Sequence, residues 1–464
     1  MLRRNRTASP SRVVLMEAIE GRTLLSTYTV TNVNDTGAGS FRQAIIDATK
    51  HVGLDTINFK IGTGGLKTIA PKSQLPPVNQ ATIIDGTTQG GYAGKPLIEI
   101  NGAYAGAAEG IRLTGGGSTL KGLIINRFAK SGVFVYGPGN NKIVGNYIGT
   151  NATGTAAAPN LAHGIFVQSA TNTIGGTTTA ERNVISGNTK AGVFFFLHYA
   201  HHNKVTGNYI GTDVTGAKAI ANQNGVHVNG AQYNTIGGTT AGARNILSGN
   251  LHDGVLINSA TASYNTVLGN YIGTNAAGTA RLGNAWYGVE ISQPSNVVGG
   301  TALGARNVIS ANGYAGVVIY QIPGKNNRVE GNYIGTDYTG TKDLGNLRAG
   351  IDITNGASNN IIGGSTTAAR NIIAGNDSLG IGIYNSSIGN QVIGNWIGIC
   401  ANGCAMINPK CGVLINNGSS GNVVKSNRIA WSSTWQGVHI TSGSTTQASS
   451  NTLYASPSLA QQLV

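Results

Sequence analysis

The hexapeptide GNYIGT begins at Gly145 and recurs from Gly207, Gly269 and Gly331, a constant step of 62 residues, before GNWIGI follows from Gly394. A fixed period of this kind means stacked supersecondary units rather than one globular core. Each unit divides into two similar halves. One half runs from GVFFF (192–196) through NKVTGNYIGT (203–212) into the loop DVTGAKAIANQN, and the other from GVHV (225–228) through NTIGG (234–238) to RNILSGN (244–250). Each half reads as one turn of a coil.

The opening segment of each turn follows Gly, apolar, variable, apolar, starting at Gly110, Gly132, Gly164, Gly192, Gly225, Gly254, Gly288, Gly316, Gly350, Gly380, Gly412 and Gly437. That alternation predicts half-buried strands with residues such as Val226 and Val228 facing inward. A second short strand is expected at Asn-x-Ile/Val (Asn141, Asn172, Asn203, Asn234, Asn265, Asn296, Asn327, Asn360, Asn390, Asn422), and a third at the YIG or VIS piece that follows. Superimposing the third strands places Asn at the same point of every turn: Asn146, Asn183, Asn208, Asn245, Asn270, Asn307, Asn332, Asn371, Asn395 and Asn427. An amide carries both donors and an acceptor, so stacked Asn side chains satisfy a buried bend and one another. The hexapeptide therefore reads as structural, an asparagine ladder beside a glycine bend.

With these motifs the chain resembles right-handed parallel β-helix proteins of the pectin-lyase-like class, over roughly residues 80–455. The implied fold is all-β, a solenoid of about twelve turns, which at about 4.8 Å per turn makes a rod of about 58 Å. The class holds lyases, hydrolases, epimerases, tailspikes and adhesins, so the resemblance fixes no activity.

Upstream, residues 27–79 read as an α/β cap. Ser40 is placed to cap a helix whose apolar stripe is Phe41, Ala44, Ile45 and Ala48. NDTGAGSFRQAI is similar to the NDSGxGSLRxAI segment that introduces β-helices in many bacterial surface proteins. Residues 1–26 read as a targeting segment, because MEAIEGRTLLS resembles the LExRxLLS leader of secreted planctomycete proteins, although Met16 and Gly21 depart from it. Residues 456–464 read as a C-terminal tail. Secretion or display at the cell surface is what the leader implies.

Charged residues make up only 10% of the chain, yet the net charge is +14. Such a balance suits an anionic partner. No nucleic-acid motif accompanies the spread of Lys and Arg, so a polysaccharide or envelope glycan is the expected partner. No apolar run approaches the length of a membrane span. Cys400, Cys404 and Cys411 share one segment; a zinc site wants four ligands, and a disulfide between two of the three is the expectation, with no pair singled out.

Acidic residues number 17, none beyond Asp377, and no cluster for calcium or for a three-Asp hydrolase is evident. The aspartates of GTDVTG and GTDYTG are Asn in the sister loops, which argues for turns and against metal. Neither a metal nor a cofactor is expected. Stacking the variable position of the opening strands gives one outward column that contains His227, Glu290 and Asp352 on alternate turns, about 9.6 Å apart. Glu290 and Asp352 at that separation match an inverting glycosidase pair, and His227 suits the base of a lyase or epimerase. Three polar residues on a solvated face are the plainer account. The next outward position carries Tyr136, Phe196, Tyr320 and Tyr384 among amides and hydroxyls, a composition suited to sugar faces. Arg182, Arg244, Arg306 and Arg370, each just before a ladder Asn, form a basic row placed to pair with loop carbonyls or with an acidic polymer. The near-identity of the repeats puts a non-enzymatic, glycan-binding surface protein first. A polysaccharide lyase, epimerase or glycosidase is the alternative.

Overall fold

The structure is a computed structural model that describes residues 26–431, 437–441 and 443–455. The expected leader, apart from Ser26, and the expected tail lie outside the described residues. Every strand pairs in parallel, in three sheets of fifteen, fourteen and twelve strands. Successive strands of each sheet come from successive turns, so the chain forms a parallel β-helix. The twelve-stranded sheet runs from Ile111–Leu113 to Val438–Ile440, one strand for each predicted opening Gly.

Alternation decides which side chains fill the interior. Val226 and Val228 are fully buried, and each stacks on its equivalent one turn away, Val255 and Ile257. Ile148, Ile185, Ile210 and Leu247 form a matching buried column on the fourteen-stranded sheet. Similar apolar shapes repeated at one strand spacing stack along the axis into one continuous buried cluster. Phe195 is the bulkiest side chain of its column and is also fully buried.

The predicted ladder is present along its whole length. Asn146 donates its backbone N–H and side-chain amide to Asn183 Oδ1 at 2.9 and 3.1 Å, Asn183 does the same to Asn208 at 3.3 and 2.9 Å, and the series continues through Asn427 to Asn451. Within GNYIGT the flanking glycines explain themselves: Gly145 has φ +65° and Gly149 φ +89°, the left-handed region that other residues enter at a cost. Two further ladders flank this one. The Asn-x-Ile asparagines stack from Asn141 to Asn422, and a third series runs from Asn160 through Asn188, Asn222 and Asn250 to Asn408. Sequence reading missed the last, although its signal was visible as an Asn three or four residues before each opening Gly from Gly164 to Gly412.

At the N-terminal end the helix Phe41–Ala48 is capped as expected, Ser40 accepting from the Gln43 N–H at 3.2 Å, with Phe41, Ala44, Ile45 and Ala48 buried. The strands around it, Thr27–Val30 and Asp55–Phe59, are the first two of the fifteen-stranded sheet. Sheet pairing is thus continuous from the cap segment into the coil. Cys400 and Cys404 form a disulfide, and Cys411 is a buried thiol. No helix among the described residues is long and apolar enough to cross a membrane.

Candidate functional site

Strand register confirms the outward column of the twelve-stranded sheet: Phe194, His227, Leu256, Glu290, Val318, Asp352, Gly382 and Leu414 lie side by side on successive turns. The solvated face expected of it is not what the structure contains. Glu290 is 9% exposed, Val318 3% and Leu414 6%. Two neighbouring rows account for this. Residues just ahead of the opening strands, Asp253, Tyr287, Ala315 and Leu379 among them, rise on one side, and residues two places further along the strand fold back from the other.

The second row makes a recurring contact. A polar residue in the column is bonded by the side chain two positions beyond its partner on the following turn. His227 Nε2 lies 2.8 Å from Asn258 Oδ1, the Tyr320 hydroxyl bonds the Glu290 carboxylate, and the Tyr384 hydroxyl bonds Asp352. Gly382 makes the last of these possible, since a methyl group there would overlap the Tyr384 hydroxyl. Tyr320 and Tyr384, expected as sugar platforms, are instead partners of the two carboxylates expected as acid and base. Of the other expected platforms, Tyr136 is 55% exposed and lines a separate cleft with Gln168 and His201. Phe196 packs on Phe166 and Phe194 at 5.7 and 5.6 Å, within an aromatic cluster.

Burial controls the protonation of these groups. It raises Asp352 to about 6 against the opposing pull of Arg348 and the Tyr384 hydrogen bond, and it raises Glu290. Tyr384 is pushed far up by burial and by Asp352, and Tyr320 to about 12 by burial and Glu290, so both phenols hold their protons. His227 is lowered by burial, which keeps its imidazole neutral. Asp253, which sequence reading did not single out, goes to about 8 through burial and the neighbouring Glu290 charge.

Around Asp352 the column opens into a groove of about 630 Å³ whose walls include Tyr287, Arg348, Leu379, Tyr384 and Lys410. Asp352 Oδ1 is buried and has no hydrogen-bond partner. Among the described residues neither Arg348 nor Lys410 is in a salt bridge. A carboxylate with one orphaned oxygen, a protonated phenol and two unpaired cations therefore share one groove. Its cations were not predicted, because Arg348 and Lys410 fall in connecting segments of unlike sequence. Glu290 does not line this groove, and the Val318 turn stands between the two carboxylates. The column thus offers no open carboxylate pair flanking a single bond. Among the described residues no three His, Cys, Asp or Glu side chains are grouped so as to hold a metal ion.

No protein-family model matches the chain, and no curated protein matches it in sequence. Solved structures do resemble it. The A-module of the Azotobacter vinelandii mannuronan C-5 epimerase AlgE6 aligns over 92% of this chain and 99% of its own at 13% identity, with a TM-score of 0.47. A T265N mutant of the periplasmic alginate epimerase AlgG covers 86% and 77% at 11% identity (TM-score 0.45). The PL6 family polysaccharide lyase Pedsa3628 from Pseudopedobacter saltans covers 93% and 94% at 11% identity (TM-score 0.39). Likeness at this level concerns the path of the coil, and it assigns no activity.

Proposed function

We propose that the protein is an enzyme acting on an acidic polysaccharide, a lyase or epimerase that removes the proton at C5 of a uronate. The observation that carries this reading is the half-buried Asp352, its buried Oδ1 unpartnered, bonded by Tyr384 and lining an open groove together with Arg348 and Lys410. A structural carboxylate has its oxygens satisfied; one that lines an open groove beside a phenol and two cations, with an oxygen left unpartnered and its pKa raised toward neutrality, is suited to accept a proton. Above about pH 6 Asp352 is ionised and serves as the base. Arg348 and Lys410 neutralise the sugar carboxylate, which makes the adjacent C5 proton more acidic. As Asp352 takes that proton, the C5–H electron pair becomes the C4=C5 bond. The C4–O bond breaks, and the leaving oxygen takes the proton of Tyr384. With C4–O intact, the C5–H electron pair is held instead on the sugar carboxylate as an enediolate neutralised by Arg348 and Lys410, and transfer of the Tyr384 proton to the opposite face of C5 returns the pair to a C–H bond and gives the epimer.

This reading reverses the order that sequence alone suggested, where a binding rod came first; what changes it is the groove at Asp352, where an incompletely bonded carboxylate, Tyr384, Arg348 and Lys410 come together. Glycosidase chemistry from Glu290 with Asp352 loses ground, since only Asp352 lines the groove. The leader resemblance makes action outside the cytoplasm part of the proposal. Purified protein is to be incubated with polyuronates and neutral glucans, following ultraviolet absorbance of the unsaturated product, chain length, and exchange of the C5 hydrogen in deuterated water. Asp352→Asn and Tyr384→Phe are expected to lower the rate about 10²-fold or more. Neither unsaturation nor C5 exchange on any polyuronate refutes the proposal.

A further inference from the structure

The aromatic residue of GNYIGT has a second neighbour besides the core. The Arg before the ladder Asn of one turn lies over the aromatic ring of the next: Arg182 on Tyr209 at 4.2 Å, Arg244 on Tyr271 at 4.1 Å, Arg306 on Tyr333 at 4.0 Å and Arg370 on Trp396 at 4.6 Å. Trp396 also carries Arg428 at 4.8 Å. The stacked ring fixes each guanidinium plane, which a Lys ammonium would not require. Arg182, Arg306 and Arg370 each spend one N–H on a glycine carbonyl, at 3.3, 3.3 and 3.4 Å, as the sequence suggested. Arg244 does not: its Nε is buried and has no partner.

None of these five cations is in a salt bridge among the described residues. The salt bridges among the described residues use other cations, and even Glu181, adjacent to Arg182, pairs with Lys142. Arg370 is lowered by burial and by the like charge of Arg428. Between Arg244 and Arg306 a cleft of about 350 Å³ opens beside the Tyr271 ring, walled by Leu303 and Tyr338. Its geometry recurs because the Tyr rings sit on every second strand of the fourteen-stranded sheet, about 9.6 Å apart along the axis.

We propose that this row is a second binding surface, separate from the Asp352 groove, for a linear polyuronate lying along the rod. Each guanidinium fork takes one carboxylate bidentately, and the loop surfaces beside the rings take the apolar sugar faces. Charge complementarity and spacing together select the occupant. A row of single cations about 9.6 Å apart suits a polymer with sparse, regular carboxylates, whereas duplex DNA presents one charge per about 1.7 Å and would leave most of its phosphates unmatched. A surface of this kind keeps a long chain attached while another stretch occupies the groove, but the binding itself does not depend on any reaction there.

The test is affinity electrophoresis of the full chain in gels containing polygalacturonate, alginate, dextran or duplex DNA, at two salt concentrations. Retardation by a polyuronate that weakens with salt is expected, with none by dextran. Arg244→Gln with Arg306→Gln is expected to weaken polyuronate binding about tenfold while leaving any conversion of short oligouronates unchanged. Asp352→Asn should bind as the wild type does, which separates failure of this surface from failure of the groove. Thermal melting checks folding; should the Gln pair not fold, Arg244→Lys with Arg306→Lys, expected to bind several-fold more weakly, is compared in the same way. Undiminished polyuronate binding by the folded variant, or tighter binding of DNA than of polyuronate, overturns the proposal.

Discussion

Removing one oxygen atom from Tyr384 tests how the groove sets the proton affinity of Asp352. Two influences hold that carboxyl down against burial, the Arg348 charge and the Tyr384 hydroxyl. Tyr384→Phe keeps the ring over Gly382 and deletes only the hydrogen bond. A hydrogen bond to a charged acceptor is worth at least about 1.5 kcal/mol, and one pKa unit corresponds to 1.36 kcal/mol, so Asp352 is expected to rise by about one unit from about 6. The assay is a carbon-13 NMR titration of carboxyl-labelled aspartate, with Asp352→Asn used to assign the signal. Gly382→Ala gives a second route to the same end, because the new methyl group displaces the Tyr384 hydroxyl. An unchanged or lower Asp352 pKa in Tyr384→Phe would refute the assignment of this hydroxyl as the carboxylate's partner.

The same carboxyl makes stability depend on pH. Its folded value lies above 3.8, so the folded state binds more protons and stability falls as pH rises from about 4 to about 6; Asp352→Asn should remove that slope and leave the variant up to about 3 kcal/mol more stable at pH 7, measured by urea unfolding. In the ladder, Asn270 accepts from both the N–H and the amide of Asn245, and Asn270→Ala leaves these two buried donors unpaired at about 1–3 kcal/mol each; a loss below 1 kcal/mol would mean the ladder is ornamental. Phe195→Ala empties a fully buried site and should cost about 3–5 kcal/mol, read from the same unfolding curves. Ser40→Ala removes the cap of the N-terminal helix and is expected to cost about 1 kcal/mol.

What sequence revealed and what it hid divide along a physical line. The coil was legible because its determinants are local and repeated: alternation decides that Val226 faces inward, and a bend that recurs every turn needs the same Asn every turn. Register followed too, so His227, Glu290 and Asp352 fell in one column as expected. Whether that column is wet was not legible, because its cover comes from residues whose neighbours lie on other turns. Tyr384 reaches Asp352 only because Gly382 leaves room, a relation between three residues on two strands. Arg348 and Lys410 enter the groove from connecting segments, where the repeat is broken and periodicity carries no information.

That break is where the chemistry has to be. A strict repeat confers the same group on every equivalent turn, which suits a polymer-binding row such as Arg182, Arg244, Arg306 and Arg370, where each site does the same thing. A reacting centre needs unlike groups at one point, and only departure from the repeat supplies them. The three polar pairs of the column show the transition: His227 with Asn258, Glu290 with Tyr320 and Asp352 with Tyr384 occupy equivalent places, and around Asp352 the flanking segments add Arg348, Lys410 and an open groove. If the centre lies there, Glu290→Gln, one unit away, should leave turnover within about threefold while Asp352→Asn abolishes it. Equal loss from both would mean that the reacting sugar spans two turns, and the groove would then have to be redrawn to include Glu290 and Asp253.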